Sequence, residues 1–138
     1  MNKLLTVLSL ALVAFGLLAI SNAPATADPK GSSLHAKLIG DVIGTIKPKG
    51  HAEYESETRR KGTKSQLEVE VEHVNLATDT VLTVCVDGTS VGTITLKKAG
   101  EGKLKLSTKK GDTVPLVVSG SVMLIKAADG TTVLSGTF

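Results

Sequence analysis

Alternation of apolar and polar residues between Leu67 and Leu106 constrains the fold of this chain more than any other feature. Leu67, Val69 and Val71 alternate with glutamates, and the same two-residue period returns after each turn signal. Successive side chains of a strand point to opposite faces, so this period predicts consecutive antiparallel strands with one solvated and one buried face. The Asp87-Gly88 pair between two such runs predicts a tight hairpin.

Turn signals divide the rest of the chain into similar short segments. Gly40 and Gly44 disfavour a helix over residues 34–47, at a cost of about 1 kcal/mol each. Pro115 has no backbone N–H to donate, so the segment around it can only be a strand at the edge of the sheet. We therefore predict an all-β domain over residues 34–138, either an antiparallel β-sandwich or a partly closed barrel, with about eight or nine short strands.

The beginning of the chain has the features of a secretory signal peptide over residues 1–27. Lys3 supplies a positive charge, residues 4–20 form an uncharged apolar run, and Ala25-Thr26-Ala27 fits a small-residue cleavage site. The alternative is an uncleaved membrane anchor, for which the run is at the short limit. We expect cleavage before Asp28, a disordered tether over residues 28–33, and a secreted or periplasmic protein without a stable membrane span.

Aromatic residues are scarce, and only Tyr54 and Phe138 follow the predicted cleavage site. The core must then be aliphatic, and the chain lacks the aromatic platforms that stack on sugars or single-stranded nucleic acids. Lys3 is the only charged residue before Asp28, so the mature net charge is about +2. That charge is too small to indicate a nucleic-acid partner.

Two motifs that suggest chemistry have simpler interpretations. Gly88 to Gly92 matches the G-x-S-x-G pattern around Ser90, but a hydrolase needs a strand-to-helix turn and a later histidine, and the last histidine is His73. His35, His51 and His73 lie on separate segments, which favours surface residues over a metal site. We expect no catalytic residues, no cofactor and no metal ligands, and hence no enzyme.

Cys85 is the single cysteine, so no internal disulfide is expected. Its parity is opposite to that of Leu82, Val84 and Val86, which predicts an outward-facing thiol. An outward thiol would permit an intermolecular disulfide and a dimer. The alternative is an unreactive strand residue covered by a loop or a second layer.

The predicted strands over residues 51–58 and 66–74 carry glutamates on their solvent faces. If they pair through the basic segment 59–64, the glutamates share one face, for example with Glu55 opposite Glu68 and Glu53 opposite Glu70. Like charges directly opposite each other are destabilising, so something must offset them. The alternatives are a divalent cation such as calcium or three lysines of outward parity: Lys97, Lys103 and Lys105. Four glutamates form the candidate binding patch: Glu53, Glu55, Glu68 and Glu70.

The run NLATDTVLTVCVDGTSVGTITL and the closing DGTTVLSGTF resemble a small all-β domain of exported bacterial proteins of unassigned function. The resemblance covers roughly residues 67–138. Residues 50–76 are more faintly similar to CHRD modules of secreted proteins, whose histidine-containing signature is absent here. Neither resemblance carries a known catalytic residue. Together they imply export and a β-sandwich.

These features predict an exported, non-catalytic binding or structural module of the cell envelope or extracellular space. Its partner would be an envelope or extracellular protein or polymer. Two alternatives stay open. One is a calcium-type cation-binding β module that uses the glutamates, and the other is an enzyme of unknown class, which would require a convergent nucleophile, acid and base.

Overall fold

A computed structural model describes residues 31–138, so the predicted signal peptide lies outside the described residues. The strands are β1 (Ser32–Ile39), β2 (Lys49–Arg59), β3 (Gly62–Glu72), β4 (Val81–Val86), β5 (Thr89–Thr95), β6 (Gly102–Ser107), β7 (Val122–Lys126) and β8 (Thr132–Thr137). They form one antiparallel sheet in the order β5-β4-β7-β8-β1-β2-β3-β6. The helical structure over residues 31–138 consists of two 3₁₀ turns, and no helix there is long and apolar enough to cross a bilayer. The predicted all-β class is confirmed.

The sheet curls until its two end strands, β5 and β6, face each other. A Cβ atom added at Gly92 of β5 would lie 2.8 Å from Leu104 Cδ2 of β6, and one added at Gly102 of β6 would collide with Ile94 of β5. Glycine permits this close approach because it has no side chain to separate the strands. Of the two predicted architectures, the structure is therefore the nearly closed barrel.

The inner face of the sheet is aliphatic, as the composition requires. Leu67, Val69 and Val71 of β3 are buried, and so are Leu82, Val84 and Val86 of β4, which confirms the parity predicted for both strands. Burying each such side chain contributes about 1.5–3 kcal/mol. This shared core holds the fold together without a disulfide.

The first and last strands of the sheet in chain order are neighbours. β8 pairs with β1 through Ile39 and Ser135, and a Cβ atom at Gly136 would meet the carbonyl oxygen of Lys37. Phe138 follows β8 and packs against the core.

Two strands are longer than their alternation indicates. β1 begins at Ser32, which pairs with Ser56 of β2, so Ser32 and Ser33 do not belong to the expected tether. The expected loop over residues 59–64 is a two-residue turn, because Arg59 pairs with Gly62 at the end of the β2–β3 hairpin. The residues at these strand ends are polar, so the alternation of apolar and polar residues that predicted the strands does not extend to them.

The Asp87-Gly88 turn has the predicted hairpin geometry. Its φ angles of +49° and +85° are both positive, as a type I′ turn requires. Asp87 Oδ1 also accepts a hydrogen bond of 2.9 Å from the backbone N–H of Val122, which attaches the turn to the start of β7. Ser90 lies exposed at the start of β5, so the G-x-S-x-G match belongs to a hairpin.

Cys85 lies on the outer face of the sheet but is buried. Its partner on β7 is Leu124, which alternates with the core residues Met123 and Ile125, and its partner on β5 is Ser90. Strands flank β4 on both sides, and only 7% of Cys85 is exposed. Of the two alternatives, the exposed thiol is wrong and the covered strand residue is confirmed. Parity specifies the face of a sheet and not how far neighbouring side chains cover a small residue.

Candidate functional site

The predicted glutamate patch lies on the outer face of β2 and β3, in a different register from the one expected. Glu53 pairs with Glu68, and Glu55 pairs with Gln66. The expected pairs are wrong by two residues, because the turn is centred on Arg60 and Lys61 instead of one residue later. The other glutamates of these strands face basic residues: Glu70 is opposite His51, Glu72 is opposite Lys49, and Glu57 is opposite Lys64.

Lysines of β6 neutralise the glutamates of β3. Lys103 Nζ lies 2.7 Å from Glu68 Oε1 and 2.9 Å from Glu70 Oε1, and Lys105 Nζ lies 3.4 Å from Glu68 Oε2. The hydrogen bond from Lys103 holds the pKa of Glu68 below its usual value, and the two glutamates raise the pKa of Lys103. Lys97 lines a groove with Glu70 and Glu72. Lys103 and Lys105 therefore supply the compensation that the lysine alternative predicted.

Two histidines lie beside the glutamates of this lattice. His51 Nε2 lies 3.2 Å from Glu70 Oε2, and His35 Nε2 lies 3.9 Å from Glu53 Oε1. His35, His51 and His73 are all exposed, as predicted. Within residues 31–138 no three His, Cys, Asp or Glu side chains group closely enough to hold a metal ion. A cation at Glu68 or Glu70 would first have to displace Lys103.

A second charged region lies at the tip of the β2–β3 hairpin. Five basic residues there line a groove of about 620 Å³ together with Thr63 and Thr108: Arg59, Arg60, Lys61, Lys64 and Lys109. Lys110 follows Lys109 in the 3₁₀ turn Thr108–Lys110. We call these six basic residues the basic end. They come from two segments that are far apart in the chain and are brought together by the pairing of β3 with β6.

Thr108 fastens the 3₁₀ turn to β3. The backbone N–H of Ser65 donates to Thr108 Oγ1 at 3.0 Å, and Thr108 Oγ1 donates to the carbonyl oxygen of Ser65 at 3.3 Å. The hydroxyl thus replaces a backbone partner just beyond the last β3–β6 pair, Gln66 with Ser107. Asp112 Oδ2 accepts a hydrogen bond of 3.0 Å from the backbone N–H of Ser107 and folds the chain back. These contacts hold Lys109 beside the hairpin tip.

The charge of the basic end is only partly neutralised. Arg59 Nε lies 2.9 Å from Glu57 Oε1, and this hydrogen bond lowers the pKa of Glu57 and raises that of Arg59. The other five basic side chains form no ion pair with any of residues 31–138. Three carboxylates lie nearby, those of Glu55, Glu57 and Asp112. The local balance is therefore positive.

The connection from the 3₁₀ turn to β7 exposes aliphatic side chains. Val117 is buried, whereas Leu116 is 78% exposed and Val118 is 52% exposed. The backbone N–H of Ser121 donates to the carbonyl oxygen of Val118 at 2.9 Å, so this tight turn leads directly to Val122, which is 42% exposed. We call Leu116, Val118 and Val122 the aliphatic rim.

The net charge of the whole chain does not reveal the basic end, because 13 acidic residues offset most of the 16 basic ones. The segment 59–64, RRKGTK, contains four basic residues and is the signal that marks the region. Lys109 and Lys110 could not be added to it without knowing that β6 is the neighbour of β3.

Neither a scan against protein-family models nor a search of curated proteins gives a match to this chain.

Proposed function

We propose that this protein is an exported, non-catalytic binding module of the cell envelope or extracellular space, and that it attaches through its basic end to a partner carrying anionic groups. The observation that carries the proposal is the groove of about 620 Å³ lined by five basic side chains. Phosphate, sulfate and carboxylate groups complement such a surface. Arg59 and Arg60 add planar guanidinium groups, which bind oxyanions in a bidentate manner.

The fixed backbone of the basic end supports binding over simple solvation. The β2–β3 ladder continues to Arg59 and Gly62, and Thr108 ties the second segment to Ser65. Partners bind more tightly to groups that are already held in place, because less conformational entropy is lost on association. Charges that lie within a Debye length of about 8–10 Å also act together on an approaching anion.

The glutamate lattice supports the non-catalytic part of the proposal. A general acid at neutral pH needs a raised carboxyl pKa, whereas Lys103 lowers the pKa of Glu68. Glu70 is likewise paired with Lys103 and His51. These carboxylates act as cross-strand braces for the sheet that carries the basic end.

Affinity for a generic polyanion tests the proposal. We expect the mature protein to bind dextran sulfate at low ionic strength, and the double variant Arg60→Glu/Lys61→Glu to lose affinity by about tenfold or more in calorimetric titrations. The matched control is Lys97→Glu/Lys98→Glu, which makes the same charge change at the other end of β6. Equal losses in both variants would mean that net charge alone matters, and would overturn the proposed site.

A further inference from the structure

We infer that the anionic partner of the basic end is the surface of a lipid bilayer that contains negatively charged headgroups. This inference rests on the proposed function and adds the aliphatic rim to it. A cationic surface alone fits any polyanion. Cations beside exposed aliphatic side chains fit a partner that offers anionic groups over an apolar layer.

Two members of the basic end, Lys109 and Lys110, belong to the same stretch of chain as the aliphatic rim. Leu116 follows Lys110 by six residues, so their Cα atoms are at most about 20 Å apart. Thr108 fixes the start of this stretch on β3, and the bond from Val122 to Asp87 fixes its end beside the β4–β5 turn. The two features can therefore meet one continuous surface without any rearrangement of the sheet.

The alternation at Leu116, Val117 and Val118 determines which side chains face outward. Val117 is 3% exposed and anchors the segment in the core. Its two neighbours project away from the barrel, so most of Leu116 and about half of Val118 are in contact with water. A water-soluble polyanion would satisfy the cations but would leave Leu116 and Val118 hydrated. A bilayer satisfies both, because the aliphatic side chains enter the headgroup region while lysines keep their ammonium groups at the phosphates.

A second group of exposed aliphatic residues provides an internal comparison. Val42 and Ile46, in the connection between β1 and β2, are 58% and 41% exposed. They precede Lys49, at the opposite end of β2 from the hairpin tip. An eleven-residue strand is roughly 35 Å long, so these side chains cannot share a flat surface with the basic end.

Sedimentation with lipid vesicles tests the inference. We expect the mature protein to bind vesicles of phosphatidylcholine mixed with phosphatidylglycerol and to leave pure phosphatidylcholine vesicles unbound. Leu116→Ser/Val118→Ser should weaken vesicle binding by about tenfold while dextran sulfate binding is unchanged. The matched control Val42→Ser/Ile46→Ser should bind vesicles like the wild type. Thermal melts of each variant establish that it is folded.

Each outcome separates the lipid inference from the proposed function. If dextran sulfate binds but mixed vesicles do not, or if the rim variant binds vesicles like the wild type, the lipid inference is wrong and the basic end serves a polyanionic polymer. If neither dextran sulfate nor mixed vesicles bind, the proposed function itself is wrong. The proposed function and the lipid inference are both supported if two results are obtained. Arg60→Glu/Lys61→Glu should lose binding to dextran sulfate and to vesicles, and the rim variant should lose binding to vesicles alone.

Discussion

Two halves of the sheet share one core but present different outer faces. β1, β2, β3 and β6 form a charged half, whose cross-strand pairs include Glu68 with Lys105 and Glu70 with Lys103. β4, β5, β7 and β8 form a hydroxyl-rich half, in which Lys126 is the single charged residue. In that half Thr83 faces Thr93 and Lys126 on the outside. The comparison shows that inward-facing residues determine the fold, while outward-facing residues determine where the surface carries charge.

The largest effect should come from breaking the core that both halves share. Val84 is fully buried, and a carboxylate there would have no partner. We expect Val84→Asp to abolish folding, because the cost of several kcal/mol is comparable to the stability of a small domain. The control is Thr83→Asp, on the outer face of the same strand beside Lys126, which should keep a cooperative thermal transition by circular dichroism. Two similar melts would contradict the assignment of faces.

The contact between β5 and β6, where the two halves of the sheet meet, should give the next largest effect. A Cβ atom at Gly92 would lie 2.8 Å from Leu104 Cδ2, so Gly92→Val should destabilise the protein by about 1–3 kcal/mol through overpacking. Leu104→Ala should offset part of that loss when the two are combined. Urea denaturation of the two single variants and the double variant measures the coupling. Additive effects would show that β5 and β6 do not close against each other.

A substitution in the charged half should have a smaller effect on stability, and the size of that effect should depend on pH. The pKa of Glu68 is lowered in the folded protein, so its contribution to stability is complete above the unfolded value of about 4.3 and is lost as the pH falls through the folded value. We expect Glu68→Gln to lower Tm by a few degrees at pH 7, and by progressively less as the pH falls below about 5. Glu101→Gln is the control, at the exposed β5–β6 turn. A constant Tm difference from neutral to acidic pH would argue against the ion pairs with Lys103 and Lys105.

The smallest effect concerns the outer face of the hydroxyl-rich half. Because Cys85 is only 7% exposed, we expect a thiol reagent to label it slowly in the native protein and rapidly in denaturant. Mass spectrometry measures both rates. Rapid labelling of the native protein would show that the thiol is exposed and would again permit a dimer through Cys85.

Local patterns predicted the inner face of the fold and the Asp87-Gly88 turn. The alternation at Leu67, Val69 and Val71 identified the buried side of β3, because parity follows directly from strand geometry. The same patterns did not determine the register of paired strands or which strands are neighbours in the sheet. Placing the buried residues of β2 opposite those of β3 requires only that the numbers of paired residues add up to an odd value. Several β2–β3 registers meet this condition, and the length of the turn decides among them. The basic end depends on β6 lying beside β3, which is a property of the sheet order and not of any segment.

The pairing of β8 with β1 affects when the protein can fold. Ser135 lies opposite Ile39, so ribosomes must synthesise nearly the whole domain before β1 acquires its second neighbour. Contacts between residues so far apart in sequence form late and slowly. A nascent chain of this design keeps its first strand at an open edge throughout synthesis.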